Sequence, residues 1–304
     1  TRLIPLLNDD VVSRVVELCM EEHGDPGVEF TWLVFGSEGR KEQTLYTDQD
    51  NGILFEASSQ EEANAIRQKL LPLAREINLA LDDCGFMLCK GNIMAGNAEL
   101  CLSRQEWSRR FSKIVREASP ENLLYSTIYF DLRAIWGPIE GCKALRRELL
   151  SMIRSNNMFQ RMMAQSAIQN KPPLGGLFRS FALDKKGAQK DTLDLKIKGL
   201  APFVDGVRVL ALAHEVESSN TSERIRQLVS KGVIERLDGD AYVEAYHFIQ
   251  LIRMQQHQQQ ARNALAYNNR IYPDELKHLD RRILRESFRQ AQRLQASLTF
   301  RYQL

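Results

Sequence analysis

The chain has 304 residues, 43% of them hydrophobic, and its 41 Lys and Arg against 39 Asp and Glu leave a net charge of only +2. That length fits one large or two ordinary domains, and the near balance of charge supplies no overall field toward nucleic acid or an anionic membrane. No apolar run approaches the roughly 20 residues that a bilayer requires and the first residues show no signal-peptide pattern, so a soluble, cytoplasmic protein without a membrane partner is expected. The five cysteines (Cys19, Cys84, Cys89, Cys101 and Cys142) are scattered without a Cys-x-x-Cys pair, which favours reduced thiols over a zinc site or a disulfide framework. The chain begins at Thr1, which fits a piece of a longer protein.

In chain order, Val11, Val12, Val15, Leu18 and Cys19 recur at helical spacing and predict a helix over 9–22, ended by His23-Gly24-Asp25-Pro26-Gly27. Trp32 to Phe35 and Gly52 to Phe55 are short apolar runs that suit buried strands. Ser59 and Glu62 form a capping box for a helix with Ala63, Ile66, Leu70, Leu73, Ile77 and Leu81 on one face, which Pro72 should kink or split and Cys84-Gly85 should stop. Phe86 to Cys89 reads as a third strand, Asn92 and Asn97 as the flanks of a turn, and from about residue 104 the pattern is helical almost to the end. Apolar faces around Leu145, Leu149, Met152 and Ile153, and around Tyr246, Ile249 and Ile252, indicate a helical bundle. Lys171 to Gly176 breaks the pattern and opens a polar loop to about Asp191, while Gln255 to Gln260 reads as a solvated helix face. His214, His247 and His278 stand alone on helical segments and read as structural.

The chemistry concentrates between the first two strands. Gly36 and Gly39 leave room for close backbone approach, Ser37 can cap a short helix whose free amides face an anion, and Arg40 adds a bidentate cation for phosphate. In an extended segment 48–54, Asp48 and Asp50 project to one face and Gln49 to the other. Two adjacent carboxylates repel, and a divalent cation relieves that; Mg2+ is commonly held by one or two carboxylates, waters and substrate phosphates. The pattern therefore points to a nucleoside triphosphate with Mg2+ or Mn2+.

GSEGRKEQTLYTDQDN, from Gly36 to Asn51, resembles the Gly-Ser-x-x-Arg and Asp-x-Asp signature of the polymerase-beta-like nucleotidyltransferases. More closely, it resembles the bacterial branch attached to CBS and cyclic-nucleotide-binding modules and related to the uridylyltransferase of the PII signalling protein. The resemblance continues through CKGNIMAGN (89–97), IYFDLRAIWG (128–137) and DLKIKGLAPFVDGVRVLAL (194–212). It implies an α+β protein: a small mixed-sheet nucleotidyltransferase domain, 1–140, followed by an α-helical substrate-binding domain, 141–304. It also implies transfer of a nucleoside monophosphate, uridylyl or adenylyl, to a protein or a small hydroxyl compound. Asp48 and Asp50 would hold the metal and carry catalysis, and Gly36, Ser37, Gly39 and Arg40 would bind the nucleotide, with Lys196 and Arg208 as further contacts. Asp131 and Arg133, placed on a helix, are additional site candidates because related uridylyltransferases carry a similar acidic-x-Arg motif. One departure stands out. Many relatives take a third carboxylate from the next strand, but FMLCKGNIM has none, leaving Asp82, Asp83, Glu99 or Asp131 as substitutes and a catalytically silent, nucleotide-sensing module as the alternative.

Overall fold

The computed structural model describes residues 3–117, 119–175, 181–184 and 189–304, and divides into two compact units, Thr1–Ser155 and Asn156–Leu304. The first unit is built on a mixed four-stranded sheet in the order β3-β2-β1-β4. β1 (Phe30–Val34) runs antiparallel to both β2 (Asn51–Phe55) and β4 (Arg133–Trp136), whereas β3 (Cys101–Ser103) runs parallel to β2. Every residue of β1 and β2 is buried, as unbroken apolar strands require when both faces of a sheet are covered.

On one face, Trp32, Val34, Ile53 and Phe55 pack against α1 (Leu3–His23) and α3 (Gln60–Asp83). On the other, Phe35 meets the rings of Trp107, from α4 (Arg104–Arg116), and Tyr129, from α5 (Pro120–Tyr129). Trp107 also donates its indole N–H to the Ile53 carbonyl at 2.9 Å, which fastens α4 to the central strand. α6 (Glu140–Arg154) buries Leu145, Leu149, Leu150 and Ile153 within this same unit, so the sequence-based boundary at 140/141 falls at its first turn.

Several local expectations change. α1 starts at Leu3, since a proline at position 5 is tolerated in a first turn. The run Phe86 to Cys89 makes only a bridge between Met87 and Asp48, and the strand pairing with β2 is instead Cys101–Ser103. Asp131 and Arg133 lie on a turn and on β4, not on a helix; four residues of edge strand are too short to interrupt a helical reading of the neighbouring sequence. Ser59 caps α3 by accepting from the Glu62 amide, but the Glu62 carboxylate accepts from Ser58 rather than closing the reciprocal box.

The second unit is a helical bundle comprising α7 (Asn157–Ala167), α8 (Ala201–Ala213), α9 (Thr221–Ser230), α10 (Arg236–Arg262) and α11 (His278–Tyr302), with a two-stranded ribbon of β5 (Leu193–Asp194) and β6 (Arg270–Ile271). A π-helical turn, Leu195–Leu200, leads into α8, which is buried on nearly every side. Of the glutamine-rich run, His257 and Gln260 are buried in α10, so only part of that segment is a solvated face. The loop opened by Lys171 is non-helical through Gly175, and Gly176 with part of the expected loop lies outside the described residues.

Pro72 sits inside α3, exposed, and the helix continues unbroken through it because Leu70, Leu73, Ala74 and Ile77 hold both halves in the core. Its missing N–H and ring cost more in a helix interior than the rigidity it brings to the unfolded chain returns. Pro72→Ala is therefore expected to raise the unfolding free energy by about 1–3 kcal/mol, read as a higher urea midpoint; an unchanged or lower midpoint would show that α3 has no strain at this position.

Candidate functional site

The site forms where β1 ends and β2 begins. The extended segment leading into β2 alternates as the period of two requires: Asp48 is exposed, Gln49 buried, Asp50 half-buried and Asn51 buried. What fixes this register is a cluster of buried amides. Gln49 Nε2 donates to the carbonyls of Asn78 (2.9 Å) and Phe86 (2.8 Å), while its Oε1 accepts from Asn78 Nδ2 (2.8 Å) and Asn51 Nδ2 (3.2 Å). Asn51 Oδ1 accepts from the Ala95 amide (2.7 Å) and from Asn78 Nδ2 (3.0 Å), and Asn78 Oδ1 from the Gly96 amide (2.9 Å). The inward side chains thus tie β2, α3 and the 86–97 loop together and leave the two aspartates on the opposite face.

The glycine turn closes over those aspartates. Gly36 to Gly39 form α2, a single helical turn in which Phe35, not Ser37, occupies the capping position and no side chain caps it. Ser37 lies half-buried inside the turn, which leaves its hydroxyl clear of the capping role expected for it. Gly36 has φ +52°, and a Cβ there would stand 2.9 Å from Asp50 Oδ2. A Cβ on Gly39 would meet the Asp131 carbonyl oxygen at 1.7 Å, so the space that Gly39 creates is filled by the protein's own backbone. The Phe35 amide donates to the Asp50 carbonyl at 2.8 Å, and the Cys89 thiol donates to Asp50 Oδ1 at 3.4 Å.

Arg40 and Asp131, both singled out from the sequence, are brought together. Arg40 Nη1 donates to Asp131 Oδ2 and Nε to Glu42 Oε2, each at 2.7 Å, with Asp131 fully buried. Arg133 makes a two-pronged pair with Asp9 of α1 (2.9 and 2.7 Å) and donates to the Glu38 carbonyl at 3.1 Å. Asp82 accepts from the Leu88 amide, and Glu99 pairs with Arg110. Among the described residues no group of three or more His, Cys, Asp or Glu side chains is gathered as a metal cage. A pair of carboxylates nevertheless fits Mg2+, which usually completes its shell with waters and phosphate oxygens. Lys196 and Arg208 belong to the second unit; Lys196 is exposed, whereas Arg208 is buried in α8 and bound to Asp205 at 2.7 Å.

Sequence reasoning missed the amide cluster, the Asp9 pair and Glu38. Asn78 carried a signal, since an amide stands in the apolar stripe of Leu70, Leu73, Ala74, Ile77 and Leu81 and must be satisfied there.

An α+β domain with a small mixed sheet, followed by a helical domain, is consistent with a nucleotidyltransferase domain and a helical companion. Residues 1–121 match the family model described as "Putative nucleotidyltransferase DUF294", and residues 157–302 match the model described as "Putative nucleotidyltransferase substrate binding domain". The two matches place the chain in that general class. No curated protein matches the sequence.

Glu38 gives this site a pH signature. Burial pushes its carboxyl from the ordinary 4.5 up to about 8; Arg133 pulls the other way, while Asp50 and Asp9 add to the rise. Its Oε1 has no hydrogen-bond partner among the described residues. The unfolded chain releases this proton near the ordinary value and the folded chain only near 8. The stability associated with protonated Glu38 is accordingly complete below the unfolded value and is lost as pH rises through the folded one. Glu38→Gln, which stays neutral, is expected to unfold at higher urea than the native protein, by a margin that widens from pH 5 to pH 8. A margin that stays constant across that range would contradict a neutral buried Glu38.

Proposed function

We propose that the protein transfers a nucleoside monophosphate from a nucleoside triphosphate to a hydroxyl acceptor, releasing pyrophosphate. The observation that carries this reading is the placement of Asp50 against Gly36: a carboxylate held by buried neighbours touches a positive-φ turn and has Asp48 on the same face. In this reading Asp48 and Asp50 would hold Mg2+ or Mn2+, which when bound supplies charge neutralisation for the phosphate chain. Ser37 and the amides at the start of the Gly36–Gly39 turn, which have no intrahelical acceptor, face the phosphates. Arg40, fixed by Asp131 and Glu42, holds the turn in place. The acceptor oxygen forms a bond to the α-phosphorus, its proton passing to water, while the bond to the β-bridging oxygen breaks and pyrophosphate leaves; the site's task is to align attacking and leaving oxygens.

The match of residues 157–302 to a substrate-binding domain supports assigning the acceptor to the second unit. That unit contains a cleft of about 800 Å³ in which Lys171, Gln169 and Gln292 stand among apolar residues such as Pro172, Pro173 and Ile197, a mixed lining that suits a protein segment or a small hydroxyl compound. Lys196 lies on the same π-helical turn as Lys198 and is exposed there, whereas Arg208 is buried in α8 and bound to Asp205. We further place the protein in the cytoplasm of a bacterium, as a relative of the PII-modifying enzymes working beside CBS or cyclic-nucleotide-binding modules; its free thiols accord with a reducing compartment.

The lack, among the described residues, of a third carboxylate gathered with Asp48 and Asp50 favours a second reading, a module that binds the triphosphate and signals without turnover. Transfer of α-phosphate label from each of the four nucleoside triphosphates into a cell lysate separates the two. The native protein is expected to label an acceptor, and Asp50→Asn, which keeps a similar shape beside Gly36, to lower labelling at least about a hundredfold, some 2.7 kcal/mol of barrier. Undiminished labelling by Asp50→Asn would remove the metal assignment, and magnesium-dependent binding with no labelling at all would establish the sensing module.

A further inference from the structure

Beside the carboxylates, and wholly within the first unit, lies a cavity of about 370 Å³ that none of the assigned residues line. Its floor is the 91–100 segment, and its walls are α4, through Arg110 and Lys113, and α5, through Asn122, Tyr125 and Tyr129. Ile93, on the floor, accepts the backbone N–H of Asn51 at 3.1 Å, so a lining residue is bonded to the residue that follows Asp50. Tyr129, at its inner end, packs edge-on against Phe35, the residue before Gly36, with ring centroids 5.4 Å apart. The cavity therefore abuts both the turn and the strand of the candidate site. Burial pushes the Tyr129 phenol up to about 12, and the charge of Asp50 is among the lesser causes, a further sign of their proximity.

The lining is mixed in a way that suits one kind of ligand. Tyr125 and Tyr129 form a near-parallel stack, with centroids 5.5 Å apart and planes 19° from parallel. Tyr125 is only half-buried, and its hydroxyl donates to Glu121 at 3.0 Å, which fixes the ring. Lys113 is exposed and makes no ion pair among the described residues, while Arg110 is held by Glu99. Asn92 and Asn122 add amide groups to the lining, with the Asn122 Nδ2 donating to the Glu117 carbonyl. An aromatic platform, amides able both to donate and to accept, and a spare cation match a base joined to a sugar and phosphate better than they match a lipid tail or a simple anion.

We propose that this cavity seats the base and ribose of the nucleotide, with the base stacked on Tyr125 as a third ring beyond Tyr129 and Lys113 beside the sugar–phosphate junction. The proposal rests on the nucleotidyl-transfer reading, and it assigns nucleotide recognition to α4 and α5 of the first unit instead of to the second.

The test is equilibrium binding of each of the four nucleoside triphosphates, and of the matching nucleosides, to the full chain with magnesium. Tyr125→Ala, Tyr125→Phe and Lys113→Ala would be compared with the native protein after thermal melts establish that each is folded. Stacking on an aromatic side chain is of a size that predicts a rise in Kd of about tenfold or more for Tyr125→Ala. The rise should appear with triphosphate and nucleoside alike, Tyr125→Phe should stay within about twofold of native, and Lys113→Ala should weaken the triphosphate alone. Native-like binding by Tyr125→Ala and Lys113→Ala would overturn this subsite while leaving nucleotidyl transfer standing. No binding of any triphosphate by the native protein would overturn the nucleotide reading itself, and the subsite with it.

Discussion

The amides of Gln49, Asn51 and Asn78 are the constraint on which the first unit's geometry depends. Each is buried and each is satisfied by the other two or by backbone groups of the 86–97 loop. A formed hydrogen bond contributes only about 1 kcal/mol net, but a buried amide left without a partner costs about 1–3 kcal/mol. A slip of β2 by one residue would strand several amides at once and turn Asp48 and Asp50 into the core, because side chains alternate with a period of two. The aspartates face outward because the residues between and after them are locked inward. The sheet thereby carries a repulsive pair of carboxylates without paying for their burial.

A second set of polar contacts holds the glycine turn over that pair. Asp9 from α1 and Arg133 from β4 meet beneath the Glu38 carbonyl, and Arg40 joins Asp131 and Glu42 behind it. Buried ion pairs are poor sources of net stability because desolvation offsets their attraction, but removing one partner leaves a charge that cannot be hydrated. Their effect here is to specify position. The turn must sit where both guanidinium groups are satisfied, and in that place Gly39 touches the Asp131 carbonyl and Gly36 the Asp50 carboxylate. A side chain at Gly39 would push the turn off its anchors, and one at Gly36 would be strained by its positive φ and would displace the Asp50 carboxylate.

The parts of this arrangement that were legible in the sequence are those governed by local period and local turn chemistry. Asp48 and Asp50 sharing a face, the two central strands, α3 with its Ser59 cap and its stop at Cys84-Gly85, and the bundle helices follow from spacing alone. What was hidden is non-local. β4 is four residues long and defined by pairing with β1 a hundred residues earlier, so no periodicity announces it. Phe86 to Cys89 has the composition of a strand, but its backbone serves Gln49 and a single bridge, while the ladder position beside β2 goes to Cys101–Ser103. Arg40 and Asp131 each look like ligand-binding residues when read singly; only the fold reveals them as partners. Gln260 reads as surface by composition and is buried because its side chain accepts the Asn268 amide.

The same geometry bears on how the transfer and sensing readings differ physically. Both need a triphosphate held against the Gly36 turn and a cation between Asp48 and Asp50; they part only at the α-phosphorus. Phosphoryl chemistry draws little on covalent help from the protein and much on alignment and charge. A site with two carboxylates can supply binding in full while aligning the attacking oxygen incompletely, and each 1.36 kcal/mol of lost alignment slows the reaction tenfold. In the first unit Asp131 is committed to Arg40, Glu99 to Arg110 and Asp82 to the Leu88 amide, and Glu38 is turned into the interior. Alignment of the acceptor must therefore come from whatever presents it. On the transfer reading, this puts the burden of catalytic proficiency on the way the acceptor itself is held, while the sheet and its locked amides fix the positions of Asp48 and Asp50.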